Sequence, residues 1–208
     1  DAEIKFNTNF TLDFDPGDGI AAGAFDFVGA AAHEIGHALG FVSGVDTVDF
    51  ASDPNGPSSP NQTGGNKNID LDRSAVFSVL DLYRFSGSSI NPDLGGGPGM
   101  QDLAYGDTPF FSIDGGATNL GTFSTGRFNG DGRQASHWKD NLGLGIMDPT
   151  ALPGELLQIS ALDIQAFDVI GWDLTPMTAV PEPGTIVLLG TGLLGLSAFG
   201  GKRRKSRV

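Results

Sequence analysis

The 208 residues include 25 acidic and 12 basic side chains, three histidines and no cysteine, for a formal net charge of −13. That length suits one domain with a sizeable core, and 32 Gly with 12 Pro stays short of a disordered composition. The absence of Cys excludes a disulfide scaffold, thiolate-bound zinc, iron–sulfur clusters and thiol catalysis, so any metal must be held by His and carboxylates.

The first residue is Asp1, with no signal-type segment before it, so further chain upstream is expected. Residues 3–14 alternate: Ile4, Phe6, Phe10, Leu12 and Phe14 share one parity, and Glu3, Lys5, Asn7, Asn9, Thr11 and Asp13 take the other. This predicts a half-buried strand, bent near Asn7. A turn at residues 15–19 leads into an Ala-rich apolar run, residues 20–41, which predicts a helix at least over its second half, ended by Gly40 and Gly44. Residues 51–72 read as loop. Val76, Phe77, Val79, Leu80 and Tyr83 predict a short amphipathic helix, and residues 86–108 return to loop. Residues 110–113 and 120–123 flank Asp114-Gly115-Gly116 as a hairpin. Ser160 and Asp163 form a capping box for a helix with the stripe Leu162, Ala166, Phe167 and Ile170, closed by Gly171.

The tail differs in kind. Residues 176–184 form a Pro-punctuated linker containing Pro181-Glu182-Pro183, and residues 185–201 carry no charge. Such a run lies at the short end of membrane-spanning length, about 17–25 residues. Five bases (Lys202, Arg203, Arg204, Lys205, Arg207) follow at once, as a cytoplasmic flank would. Without them, residues 1–200 hold seven basic against 25 acidic side chains, a net of −18 that argues against a nucleic-acid partner. The pattern resembles the PEP-CTERM sorting signal of Gram-negative bacteria. That resemblance implies export, an inner-membrane-tethered intermediate and cleavage near Pro181, Glu182 and Pro183 by an exosortase-type enzyme. The product would be displayed at the cell surface or released.

His33-Glu34-Ile35-Gly36-His37 is an H-E-x-x-H pattern inside the first predicted helix. Spacing of four puts both imidazoles on one face, where they can bind one Zn²⁺, and Glu34 can serve as general base without ligating it. The small apolar flanks (Ala30, Ala31, Ala32, Ala38, Leu39) suit a helix packed inside the domain. A catalytic zinc needs a third protein ligand. Ser43 stands where a short His-x-x-Gly-x-x-His motif would place it and is a poor donor; Asp46 and Asp49 are nearby alternatives, and His137 is the only other histidine.

Ser136-His137-Trp138 is followed by Ile146-Met147-Asp148-Pro149. With the zinc helix, this resembles metzincin metalloproteases of the leishmanolysin type, in which a long segment separates that helix from the third histidine. The resemblance covers roughly residues 1–173, although leishmanolysin is rich in disulfides and this chain has none. It implies an α+β zincin/metzincin-like domain: a twisted mixed sheet with its N-terminal part missing, a zinc-binding helix, a Met-turn and a C-terminal helix. It also implies zinc ligation by His33, His37 and His137, Glu34 as base and Met147 as an apolar floor. Residues 3–14 would act as the edge strand that aligns a peptide substrate. Tyr83 and Tyr105 are the only tyrosines that could assist at the metal.

The expected organisation is thus a catalytic domain over residues 1–175, with a loop-rich insertion at about 51–130. The linker with its Pro-Glu-Pro motif follows at 176–184, a transmembrane helix at 185–201 and a basic cytoplasmic tail at 202–208. The expected function is an exported zinc metalloendopeptidase acting on protein or peptide. A non-catalytic surface or matrix protein on the same scaffold, and a zinc hydrolase of a non-peptide bond, are the alternatives. Calcium is a secondary expectation: Asp13, Asp15 and Asp18, and Asn129 with Asp131, offer oxygens around Gly turns but complete no known loop.

Overall fold

Asp26 ends a two-residue strand and begins the helix that carries the histidine motif. Its Oδ1 accepts from Gly29 N at 2.8 Å, capping α1 (Phe27–Ala38). A computed structural model describes residues 2–53 and 75–173. The chain divides after Asp173, so the Pro-Glu-Pro linker, the apolar run and the basic tail lie outside the described residues. So does most of the loop expected at 51–72.

The described residues hold two small sheets, the first of them packed against α1. β1 (Leu12–Asp13) pairs in parallel with β2 (Phe25–Asp26), in the register Leu12↔Phe25. β3 (Arg84–Phe85), β4 (Phe110–Phe111) and β5 (Gly121–Thr122) form an antiparallel sheet in that order. Its β4–β5 hairpin, with Phe111 opposite Gly121, is the one expected at 110–123. α2 (Val45–Ala51) follows α1, and α3 (Ala161–Ile170) closes the unit.

α3 matches the sequence reading closely. Ser160 and Asp163 make the reciprocal capping box, and Gly171 ends the helix at φ 113°. Ala166 is fully buried, and Leu162, Phe167 and Ile170 pack against the same core. Trp172 Nε1 then donates to Leu39 O at 2.8 Å, tying the end of α3 to the end of α1.

Three expectations are corrected. Residues 3–14 are not a strand beyond Leu12–Asp13. Asn7 Oδ1 accepts from Asn9 N at 2.9 Å, turning the chain where a bend was expected, and β2 offers only two residues to pair with. An extended segment without a partner strand leaves its amides to water. Phe6 and Phe14 instead close on the Phe27 ring, with centroids 4.9 and 4.7 Å away. Residues 76–83 form only a 3₁₀ turn, Leu80–Tyr83. Asp81 accepts from Ser78 N and Gly44 N, and Ser78 Oγ donates to Val42 O, so side chains take the place of helical bonds. Finally, α1 is not an interior helix. Only Gly29 and Gly36 are buried in it, while Val28 and Ile35 are exposed, as is Leu39 just past its end.

α2 had no clear sequence signal. It is seven residues long, it opens on Val45 and carries Val48 inside, and Gly44 caps it without a side-chain bond.

The core is aromatic. Trp138 lies 5.0 Å from Phe41 and stacks on Phe123 at 4.9 Å, with Phe111 5.9 Å away. Backbone pairing holds it there: Phe123 and Trp138 form an antiparallel bridge, and Ser124 N donates to His137 O at 3.0 Å. Side chains alternate along an extended segment, so anchoring Trp138 in the core turns His137 to the other side.

Candidate metal centre

α1 places His33 and His37 one turn apart, and the extended segment brings His137 to them. His37 Nε2 lies 3.1 Å from His33 Nε2 and 3.2 Å from His137 Nε2. Each ring faces a backbone carbonyl through Nδ1: His33 to Ile146 O at 2.7 Å, His37 to Phe41 O at 2.7 Å and His137 to Gln134 O at 3.3 Å. A carbonyl only accepts, so in the neutral form of each ring Nδ1 carries the proton and the Nε2 lone pair points inward. Three lone pairs this close repel unless a cation sits among them. Nitrogens bound at about 2.0–2.1 Å to one zinc would have similar spacing, and the carbonyl contacts are the outer-shell bonds that orient ligating histidines. Among the described residues this trio is the only metal-capable cluster, and its donor atoms all lie within 4.8 Å of one another. The donor set therefore fits a divalent transition metal.

Burial holds His37 below the ordinary imidazole range, and the like-charge repulsion that protonation would create with neighbouring His33 adds to this. Burial also pushes His137 down, to about 3, with His37 and His33 lowering it further. Neutral rings are the metal-binding form.

Glu34 is exposed and lines the same cleft, about 440 Å³, as the three histidines and Arg127 and Arg133. It also borders a cavity of about 140 Å³ with Asp148, Pro149 and Thr150, and an apolar one of about 240 Å³ with Phe6, Phe10 and Phe25. The expected base thus stands where three spaces meet. Met147 is fully buried beneath α1: a β-carbon on Gly36 would stand 2.6 Å from its Sδ. Tyr83 packs into the aromatic core, and neither it nor Tyr105 lines the cleft.

The alternative donors are engaged elsewhere. Asp46 accepts from Ala135 N at 2.6 Å and from Ser136 N and Oγ, clamping the residues just before His137. Asp49 accepts from Phe128 N at 2.9 Å, Asn129 N at 2.8 Å and Asn129 Nδ2 at 3.0 Å. Ser43, at the short-motif position, donates its Oγ to Asp81 at 2.6 Å and its amide to Ser136 Oγ at 2.9 Å. Three of the calcium-like carboxylates are likewise engaged. Asp13 accepts from Asp15 N and Ala21 N, Asp15 from Gly17 N, and Asp131 from Thr125 N, Arg133 N and Lys139 Nζ.

Sequence reading did not identify several residues that build this centre. Buried Asp163 caps α3 and also accepts from Trp138 Nε1 at 2.7 Å and Ile146 N at 2.8 Å, so one carboxylate joins the His137 segment, the Met147 turn and the closing helix. Only its capping role has a local signature. Arg84 is buried and donates to Ser124 O at 3.2 Å and Ala135 O at 3.5 Å, gripping from the carbonyl side the segment that Asp46 holds by its amides. Arg127 and Arg133 carry no motif at all.

A PEP-CTERM protein-sorting motif matches residues 179–205. The motif marks the chain for export and membrane-associated sorting by an exosortase-type enzyme in Gram-negative bacteria. No curated protein and no solved structure matches the chain. Among the described residues, no helix is long and apolar enough to cross a membrane.

Proposed function

We propose that this chain is an exported zinc-dependent metalloendopeptidase with a zincin/metzincin-like catalytic domain. The observation that carries the reading is the convergence of three inward-facing Nε2 atoms, from His33, His37 and His137, beside the exposed carboxylate of Glu34. Bound there, zinc supplies Lewis acidity toward a substrate carbonyl and toward water.

The protein's own groups do the rest. The carbonyls of Ile146, Phe41 and Gln134 hold the three rings in one tautomer and orientation. Glu34 takes the proton from the attacking water and returns it to the leaving amine, so one carboxylate serves both halves of the hydrolysis. Met147 keeps the underside of α1 dry and apolar. In the same reading, residues 185–201 span the inner membrane until an exosortase-type enzyme cuts near Pro181, Glu182 and Pro183.

Zinc content per chain and casein cleavage by the wild type and Glu34→Gln test this. The expected result is about one zinc per chain in both, with cleavage falling at least about 100-fold in the variant. Zinc binding without Glu34-dependent cleavage would overturn the protease reading in favour of a scaffold or a non-peptide hydrolase. Full zinc affinity in His137→Ala would remove that residue from the ligand set.

A further inference from the structure

Arg127 and Arg133 stand on the two arms of one loop, and both line the histidine cleft. The loop is closed by an antiparallel bridge between Gly126 and Arg133, with Gly126 N donating to Arg133 O at 3.1 Å and Gly132 N to Gly126 O at 3.0 Å. Asp49, almost fully buried, holds its tip through the amides of Phe128 and Asn129. The two guanidinium groups are therefore presented by a braced turn rather than by a loose strand of surface.

Their surroundings leave them available. Arg127 lies over the Phe128 ring at 5.6 Å and, among the described residues, has no carboxylate partner. Arg133 donates Nε to Asp140 Oδ2 at 2.9 Å, and among the described residues its other guanidinium nitrogens have no partner. The nearby carboxylate of Asp131 is engaged by Lys139 Nζ at 2.6 Å and by backbone amides. Within the cleft lining the sole carboxylate is Glu34, beside two arginines, in a protein of net charge −13. A cationic wall in so acidic a body favours one sign of ligand locally, because charges lining a cleft focus its field.

We propose that Arg127 and Arg133 form a carboxylate-binding subsite beside the metal centre, so that the preferred substrate carries a carboxylate next to the scissile bond. Guanidinium groups pair with carboxylates through two parallel N–H···O bonds, which an amide or an ammonium cannot match. The carboxylate is that of an Asp or Glu side chain or that of a peptide C-terminus. The inference rests on the peptidase reading for its substrate class, but its test does not require turnover.

The probes are fluorescent peptides of one sequence with Glu, Gln or Lys at the centre and an amidated C-terminus, plus the Gln peptide with a free C-terminal carboxylate. Binding is measured to zinc-loaded Glu34→Gln full chain at low and high salt. A carboxylate-bearing peptide is expected to bind about fivefold or more tighter than the amidated Gln peptide, with the margin shrinking at high salt. Preference for the central Glu identifies a side-chain subsite; preference for the free C-terminus identifies one for chain ends. Arg127→Glu is expected to invert the order, so that the Lys peptide binds more tightly. Equal binding of all four peptides, or an unchanged order in Arg127→Glu, would overturn the subsite even if every peptide were cleaved by the wild type. Loss of Glu34-dependent cleavage with the binding order intact would instead overturn the peptidase reading alone.

Discussion

Gly36, the fourth residue of His33-Glu34-Ile35-Gly36-His37, lets the helix pack directly against Met147. A β-carbon there would meet Met147 Sδ at 2.6 Å and Phe167 Cζ at 3.2 Å. Gly36→Ala should therefore lower stability by about 1–3 kcal/mol despite the better helix propensity of Ala, because overpacking outweighs it. Thermal unfolding of the metal-free chain measures this, and an unchanged or raised Tm would contradict the packing. Asp46 acts at the same scale. It touches no histidine, yet it holds Ala135 N and the amide and hydroxyl of Ser136 immediately before His137. Burial raises its pKa while Ser136 and Ala135 oppose the rise, so the carboxylate is held by these donors rather than by water. Asp46→Asn should weaken zinc binding by loosening the segment that presents His137, by about tenfold or less, below the cost of losing a partner bonded directly to a ligating ring. Competition with a chelating dye reads that loss, and affinity equal to wild type would reduce Asp46 to a loop brace.

Among the elements, α3 carries more than its length suggests. Its N-terminal box is an ordinary cap, but Asp163 also receives the Trp138 indole and the Ile146 amide. Ser160→Ala should cost about 1 kcal/mol, as a lost N-cap does. Asp163→Ala should cost several times more, about 3 kcal/mol or beyond, because it strands buried donors on two other segments. Denaturant unfolding of both variants gives the ratio, and similar costs would confine Asp163 to capping. α1, α3 and the hairpin were legible because each signal is local: i,i+4 histidines, a reciprocal cap and an Asp-Gly-Gly turn. The strand over residues 3–14 and the helix over 76–83 were misread for a shared reason. Alternation and apolar spacing describe what a segment could bury, whereas Asn7, Ser78 and Asp81 show that side-chain bonds to the backbone can decide its shape first.

At the scale of the whole molecule, the histidine cluster couples folding to protons. The folded, metal-free chain keeps His37 below the ordinary 6.5 and His137 near about 3, mainly through burial, whereas the unfolded chain titrates both normally. As pH falls below about 6.5 the unfolded state therefore binds more protons, and stability declines until the folded imidazoles also titrate. Unfolding free energies of the metal-free chain between pH 7.5 and 4 should fall with pH, and His137→Gln should flatten the slope. An unchanged slope would mean that His137 is not held neutral.

The sequence by itself determined the pair His33 and His37 with Glu34 between them, the cap and stop of α3, and the sorting motif at residues 179–205. Each of those features is read from one short, continuous stretch of the chain. Tertiary structure decided where His137 stands and what Asp46, Asp49 and Asp163 hold. The three carboxylates look alike on paper, yet one clamps the third histidine's segment, one braces the arginine loop and one pins the Met147 turn. Their partners lie far away along the chain, and no local propensity encodes a hydrogen bond between segments that only the packed Trp138 core brings together.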